Sequence, residues 1–90
     1  MTAARIRVEG RVQGVGFRAF VVREAAVLGI AGEVWNTIDG AVELLAVHGD
    51  PSVLAALERK LARGPGRVDR VVSRPVDADP ANGFVIGATR

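Results

Sequence analysis

The chain contains no cysteine, which removes disulfides, zinc thiolates and thiol nucleophiles at once. It has a single histidine, His48, and a single lysine, Lys60, and its residues form no metal-ligand cluster, so no metal or other cofactor is expected. No apolar stretch is long enough for a signal sequence or a membrane span. Met1-Thr2-Ala3-Ala4-Arg5 leads directly into a strand pattern, so no membrane partner is expected and the cytoplasm is the expected compartment. Charge of one sign is scarce too: 12 basic and 10 acidic side chains leave a net charge of +2, too little to argue for a nucleic-acid partner. Repeats, low-complexity tracts and linkers are absent. What is present, 90 residues with 49% hydrophobic and 24% charged side chains, describes one globular domain over 1–90 that buries roughly 60–65% of its unfolded surface unaided.

Periodicity divides the chain into short elements. Residues 5–9 alternate, with Ile6 and Val8 on one side and charges on the other, as in a strand with one wet face. Phe17, Phe20, Val21, Ala25 and Leu28 share one stripe of a helix that Gly29 is placed to end. Strands follow over 31–36 and 41–48, joined by Thr37-Ile38-Asp39-Gly40, whose Asp-Gly pair signals a hairpin. The second of these strands is apolar on both sides, as a central strand would be. Asp50-Pro51 caps a second helix with a Val53, Leu54, Leu57 and Leu61 stripe, and Gly64-Pro65-Gly66 stops it. An edge strand over 68–75, a polar loop over 77–82 and a last strand over 84–86 complete the order. The fold class is α+β: a ferredoxin-like β-α-β-β-α-β sandwich, an antiparallel sheet with two helices on one face, and a possible extra C-terminal strand.

One stretch is not explained by packing: Gly10-Arg11-Val12-Gln13-Gly14-Val15-Gly16-Phe17-Arg18. Its three glycines permit left-handed backbone that turns successive N–H groups to one side, and it carries no Asp or Glu. It opens a helix whose orphan N–H groups and positive dipole end point at the same spot, within reach of the planar fork of Arg18. That chemistry alone fits either a solvated turn or an anion cradle. Gly14-Val15-Gly16-Phe17-Arg18-Ala19 also matches a dinucleotide fingerprint, but the half-wet strand before it and the short chain oppose that reading. A Walker loop fails because no Lys-Ser or Lys-Thr pair follows the glycines.

Residues 10–18 resemble the first signature of the acylphosphatase family. Gly32-Glu33-Val34-Trp35-Asn36, followed by Asp39-Gly40-Ala41-Val42-Glu43, resembles the second. The family usually places an aromatic directly after the glycine of the second signature, where this chain has Glu33; Trp35, two places on, covers the same strand face. The resemblance implies the same fold and a cofactor-independent hydrolase of small acyl phosphates. It implies that Arg18 binds the phosphoryl group with the loop residues Val12, Gln13, Gly14, Val15, Gly16 and Phe17. Asn36 would orient the attacking water, with Thr37 assisting.

The chain's own chemistry points to the same substrate class. Its few acids and bases look structural: His48 belongs to a strand end, and Glu9, Glu33 and Glu43 alternate onto strand faces. An acyl phosphate departs as a carboxylate and needs neither a general acid nor a metal, whereas a phosphomonoester does. Two other classes compete. One is a phosphate- or carbamoyl-phosphate-binding module like the domain that begins larger hydrogenase-maturation proteins, which continue into cysteine-rich segments absent here. The other is an RNA-binding domain of the same element order, opposed by strands 5–9 and 41–48 lacking aromatics for base stacking. A monomer is the expected state.

Overall fold

The computed structural model describes residues 2–79 and 82–90. Met1, and Pro80 and Ala81 of the expected polar loop, lie outside the described residues. The elements are β1 (Thr2–Arg11), α1 (Phe17–Leu28), β2 (Ala31–Asn36), β3 (Val42–His48), α2 (Pro51–Leu61), β4 (Arg67–Asp77) and β5 (Phe84–Ile86). Local chemistry sets most of the boundaries. Gly29 ends α1 in left-handed conformation with its N–H on the Ala25 and Ala26 carbonyls. Asp50 caps α2 by accepting from the Ser52 N–H at 2.9 Å, with Pro51 in the first turn.

The strands form one sheet in the order β4-β1-β3-β2-β5. β3 is central, as its two apolar sides require. Val42, Leu44 and Ala46 face the helices from β3 and meet Ile6 and Val8 of β1 and Val34 of β2. Val21 and Ala25 of α1 and Leu54, Leu57 and Leu61 of α2 close this core from one side. Each fully buried aliphatic side chain there contributes about 1.5–3 kcal/mol relative to exposure.

The four strands of the β-α-β-β-α-β order form the expected antiparallel sheet, and the extra C-terminal strand makes the whole sheet mixed. β1, β2, β3 and β4 pair antiparallel, but β5 pairs parallel to β2, Gly32 against Phe84 and Val34 against Ile86. The reason is topological. β4 ends beside Thr2, at the end of the sheet where β2 also begins. A strand entering from that end on the far side of β2 has to run in the same direction as β2.

Gly32 shows how tightly this edge is fitted. Its φ is +143°, and an added Cβ would stand 1.8 Å from the Leu45 carbonyl oxygen of β3. Gly32→Ala therefore has to part β2 from β3, and we expect it to cost about 2–4 kcal/mol. A fall in urea midpoint at constant m-value checks this; an unchanged midpoint would show that the pair has slack.

Candidate active site

The loop from β1 into α1 ends on two left-handed glycines, Gly14 at φ 74° and Gly16 at φ 82°. Gly16 is the N-cap and has no side-chain hydrogen bond to the helix start. The first intrahelical bond runs from Phe20 N–H to the Gly16 carbonyl at 3.1 Å. The N–H groups of Phe17, Arg18 and Ala19 precede it and have no intrahelical acceptor, and the first turn holds no acid to compete for them. A Cβ on Gly14 or Gly16 would meet nothing within 4 Å, so these glycines serve the backbone angle and leave open space in front of the helix.

That space is a cavity of about 200 Å³. Its polar wall is made of Arg18, Asn36 and the two glycines, and its apolar wall of Val12, Phe17, Ala19 and Ile86. Arg18 arrives from the first turn of α1 and Asn36 from the last residue of β2, so two separate elements deliver them to one place. The Asn36 Oδ1 is covered and has no hydrogen-bond partner among the described residues. A bare amide oxygen of this kind costs roughly 1–3 kcal/mol. The amide is thus held through its backbone alone and can turn its donor or its acceptor toward the cavity.

That backbone is held from both sides. Asn36 pairs with Val42 across the hairpin. Beyond β5 the chain continues along β2: Gly87 N–H donates to the Val34 carbonyl at 2.8 Å, and Arg90 N–H to the Asn36 carbonyl at 2.9 Å. The Arg90 carbonyl then accepts from Ile38 N–H at 2.8 Å. On the face away from the helices Trp35 is only 2% exposed. The guanidinium groups of Arg90 and Arg5 cover its ring, 3.8 and 4.9 Å from the centroid.

Of the residues expected to touch substrate, Val12, Gly14, Gly16, Phe17, Arg18 and Asn36 line the cavity, while the side chains of Gln13, Val15 and Thr37 are placed elsewhere. Gln13 Nε2 donates to the carbonyls of Thr37 and Ala41, each at 2.8 Å, and so ties the glycine loop to the hairpin that carries Asn36. Val15 packs on the core. The Thr37 hydroxyl donates to the Asp39 carboxylate and accepts from Ala41 N–H at 3.0 Å. That hydroxyl, and secondarily Arg7, hold the Asp39 carboxyl below its usual range. Ala19 and Ile86 line the cavity without having been singled out. Ala19 could have been read from its place next to Arg18, whereas Ile86 enters only through the parallel pairing of β5.

The lining holds no carboxylate or imidazole, and no group of three His, Cys, Asp or Glu among the described residues is placed to hold a metal ion. The Nδ1 of His48 accepts from Asp50 N–H at 2.9 Å, at the end of β3 remote from Val42 and hence from Asn36. Arg7 bonds Glu9 at 2.7 Å and Glu43 at 3.0 Å, and Arg90 bonds Glu33 at 3.1 Å, all on the face away from the helices.

Comparison with known proteins finds the same arrangement of chain. The sequence profile of the family described as Acylphosphatase matches residues 4–86. The chain belongs to the acylphosphatase family. An acylphosphatase of Nitrobacter hamburgensis is 47% identical over 77 residues, 83% of this chain and 77% of the relative. The crystal structure of the acylphosphatase from Bacillus subtilis superposes with a TM-score of 0.91 at 37% identity, covering 97% of this chain and 99% of that one. A crystal structure of T. kodakarensis HypF matches at a TM-score of 0.82 and 30% identity, covering all of this chain but 12% of that one. The acylphosphatase match takes in every residue that lines the cavity.

The Gln13 clamp can be tested apart from any chemistry. Gln13→Leu removes one donor from the Thr37 and Ala41 carbonyls, which keep the Gly40 and Thr37 N–H groups as partners, and we expect it to cost about 0.5–1.5 kcal/mol. Hydrogen exchange at the Thr37 and Ala41 amides should quicken while that of α1 holds; unaltered exchange in the turn would mean the clamp fixes nothing.

Proposed function

We infer that this acylphosphatase holds the phosphoryl group of an acyl phosphate with Arg18 and the amides at the start of α1, and that Asn36 aims the attacking water. The observation carrying this reading is that Arg18 and Asn36, from different elements, line one cavity in front of an uncapped helix N-terminus. The guanidinium fork and the helix-start N–H groups match the oxygens of a phosphoryl dianion. The Asn36 Oδ1 accepts from water while its side-chain NH₂ donates to a phosphoryl oxygen, which places the water oxygen behind phosphorus. A bond then forms between water oxygen and phosphorus as the bond from phosphorus to the acyl oxygen breaks. Its electron pair leaves on the carboxylate, and both water protons end on the inorganic phosphate.

The lining offers no carboxylate or imidazole, which suits a leaving group that needs no proton. Small-molecule acyl phosphates as substrates, a monomeric state and a cytoplasmic location complete the reading. No helix among the described residues is long and apolar enough to cross a membrane. One rival is a module that binds a phosphorylated ligand without hydrolysing it; the likeness to HypF spans only 12% of that chain. Release of phosphate separates the two.

With benzoyl phosphate as substrate and a phosphomonoester beside it, both in chelator, only the first should yield phosphate; turnover of neither would leave the binding module. Arg18→Ala should lower kcat/KM by about 10²–10³-fold, the scale of losing a charge-stabilising donor. Asn36→Ala should lower kcat while inorganic phosphate still competes. Loss of phosphate binding with intact turnover in Asn36→Ala would remove it from the water-orienting role.

A further inference from the structure

Hydrolysis explains the polar lining of the cavity but not the apolar lining. Val12 and Phe17 are each 1% exposed and form its floor. Ile86 differs: it lines the same cavity and yet is 50% exposed. Its pairing with Val34 puts it on the helix side of the sheet, the side that Asn36, two residues beyond Val34, also faces. It belongs to a three-residue strand that pairs with β2 alone, so the sheet ends there and solvent begins.

The size of the cavity decides what meets this side chain. A volume of 200 Å³ amounts to about seven water molecules at roughly 30 Å³ each and falls below the ~300–1,000 Å³ of sites that enclose a whole small ligand. A phosphoryl group and its attacking water occupy much of it. The acyl group therefore extends past the rim, and a half-exposed isoleucine stands there. Charge favours the same outcome, because Arg18 is the one cation in the lining and is engaged by the phosphoryl group. A charged acyl group would find no counter-ion in the lining.

We propose that Ile86 is the acyl-contact residue and that the site prefers acyl phosphates with an apolar acyl group, aromatic or aliphatic, to small or charged ones. The proposal rests on the hydrolytic reading above. Apolar area covered at the rim strengthens binding of ground state and transition state alike, so its effect belongs mainly in KM.

The test compares kcat/KM for benzoyl phosphate and acetyl phosphate in the wild type, Ile86→Ala, Ile86→Asp and Val85→Ala. Val85 lies on the same short strand but pairs with Glu33, on the face away from the helices, and controls for damage to β5. Ile86→Ala should lower the benzoyl-to-acetyl ratio by about three- to tenfold, chiefly through KM for benzoyl phosphate. Ile86→Asp should lower it further, and Val85→Ala should leave it where it was. Inhibition by inorganic phosphate, measured in each variant, shows that the phosphoryl site is still formed. A ratio that stays at the wild-type value in both Ile86 variants overturns the proposal, as does an equal shift in Val85→Ala. Wild-type protein that cleaves neither substrate overturns the hydrolytic reading, and this inference with it.

Discussion

The start of α1 is the constraint on which the rest depends. A helix that begins on a glycine with no capping side chain leaves its first N–H groups facing outward, and protein groups ordinarily satisfy such donors. Here they open on a cavity. A dipole end alone stabilises an anion by about 0.3–1 kcal/mol at an exposed site, and a charged hydrogen bond contributes about 1.5–3 kcal/mol. Under the proposed reading Arg18 and the amides both make charged hydrogen bonds to the phosphoryl group, the guanidinium adding its full positive charge. Both belong to the same turn of α1, which Phe17 anchors in the core, so neither can drift from the other.

Asn36 comes from the sheet, and its distance from Arg18 has to be set by packing between elements. Three independent ties fix it: the ladder to β3, the run of bonds from residues 87–90 along β2, and the Gln13 clamp from the glycine loop. On the other face Arg90 stacks on Trp35 and bonds Glu33, so the bonds that hold the Asn36 main chain are themselves anchored by a side chain. Geometry of this kind is what water activation without a titrating base demands, since misplacing the reacting oxygen by about an ångström costs on the order of 10²-fold in rate.

What could be read from the sequence follows the range of the interaction that carries it. The Gly29 stop, the Asp50-Pro51 cap and the Asp39-Gly40 turn are each settled within four residues, and all three sit where local chemistry puts them. The two-sided apolar pattern of β3 reports its central place because burial on both faces is a property of the strand itself. β5 is different: three residues reveal a strand but not its neighbour, and its direction follows from where β4 ends. The task of the Gln13 side chain is hidden for a related cause, since only the fold shows that it donates to carbonyls 24 and 28 positions away. Ile86 enters the cavity by the same non-local route, so Arg18, Asn36, Val12 and Phe17 were visible in short motifs while Ile86 was not.

The absence of an acid or base from the cavity lining follows from the leaving group. A carboxylate has a conjugate acid of pKa about 4, whereas the conjugate acid of an alkoxide, like water itself, lies many units higher. Each unit of that gap corresponds to about 1.4 kcal/mol of help that a protonating group would otherwise supply. With a mixed anhydride the gap vanishes, and a site reduced to one guanidinium, a few amides and one carboxamide suffices. The remaining walls are then free of charge and can be built from Val12, Phe17, Ala19 and Ile86. Under the proposed reading, discrimination against phosphomonoesters lies in the substrate's own bond, and discrimination among acyl groups is left to the side chain at the rim.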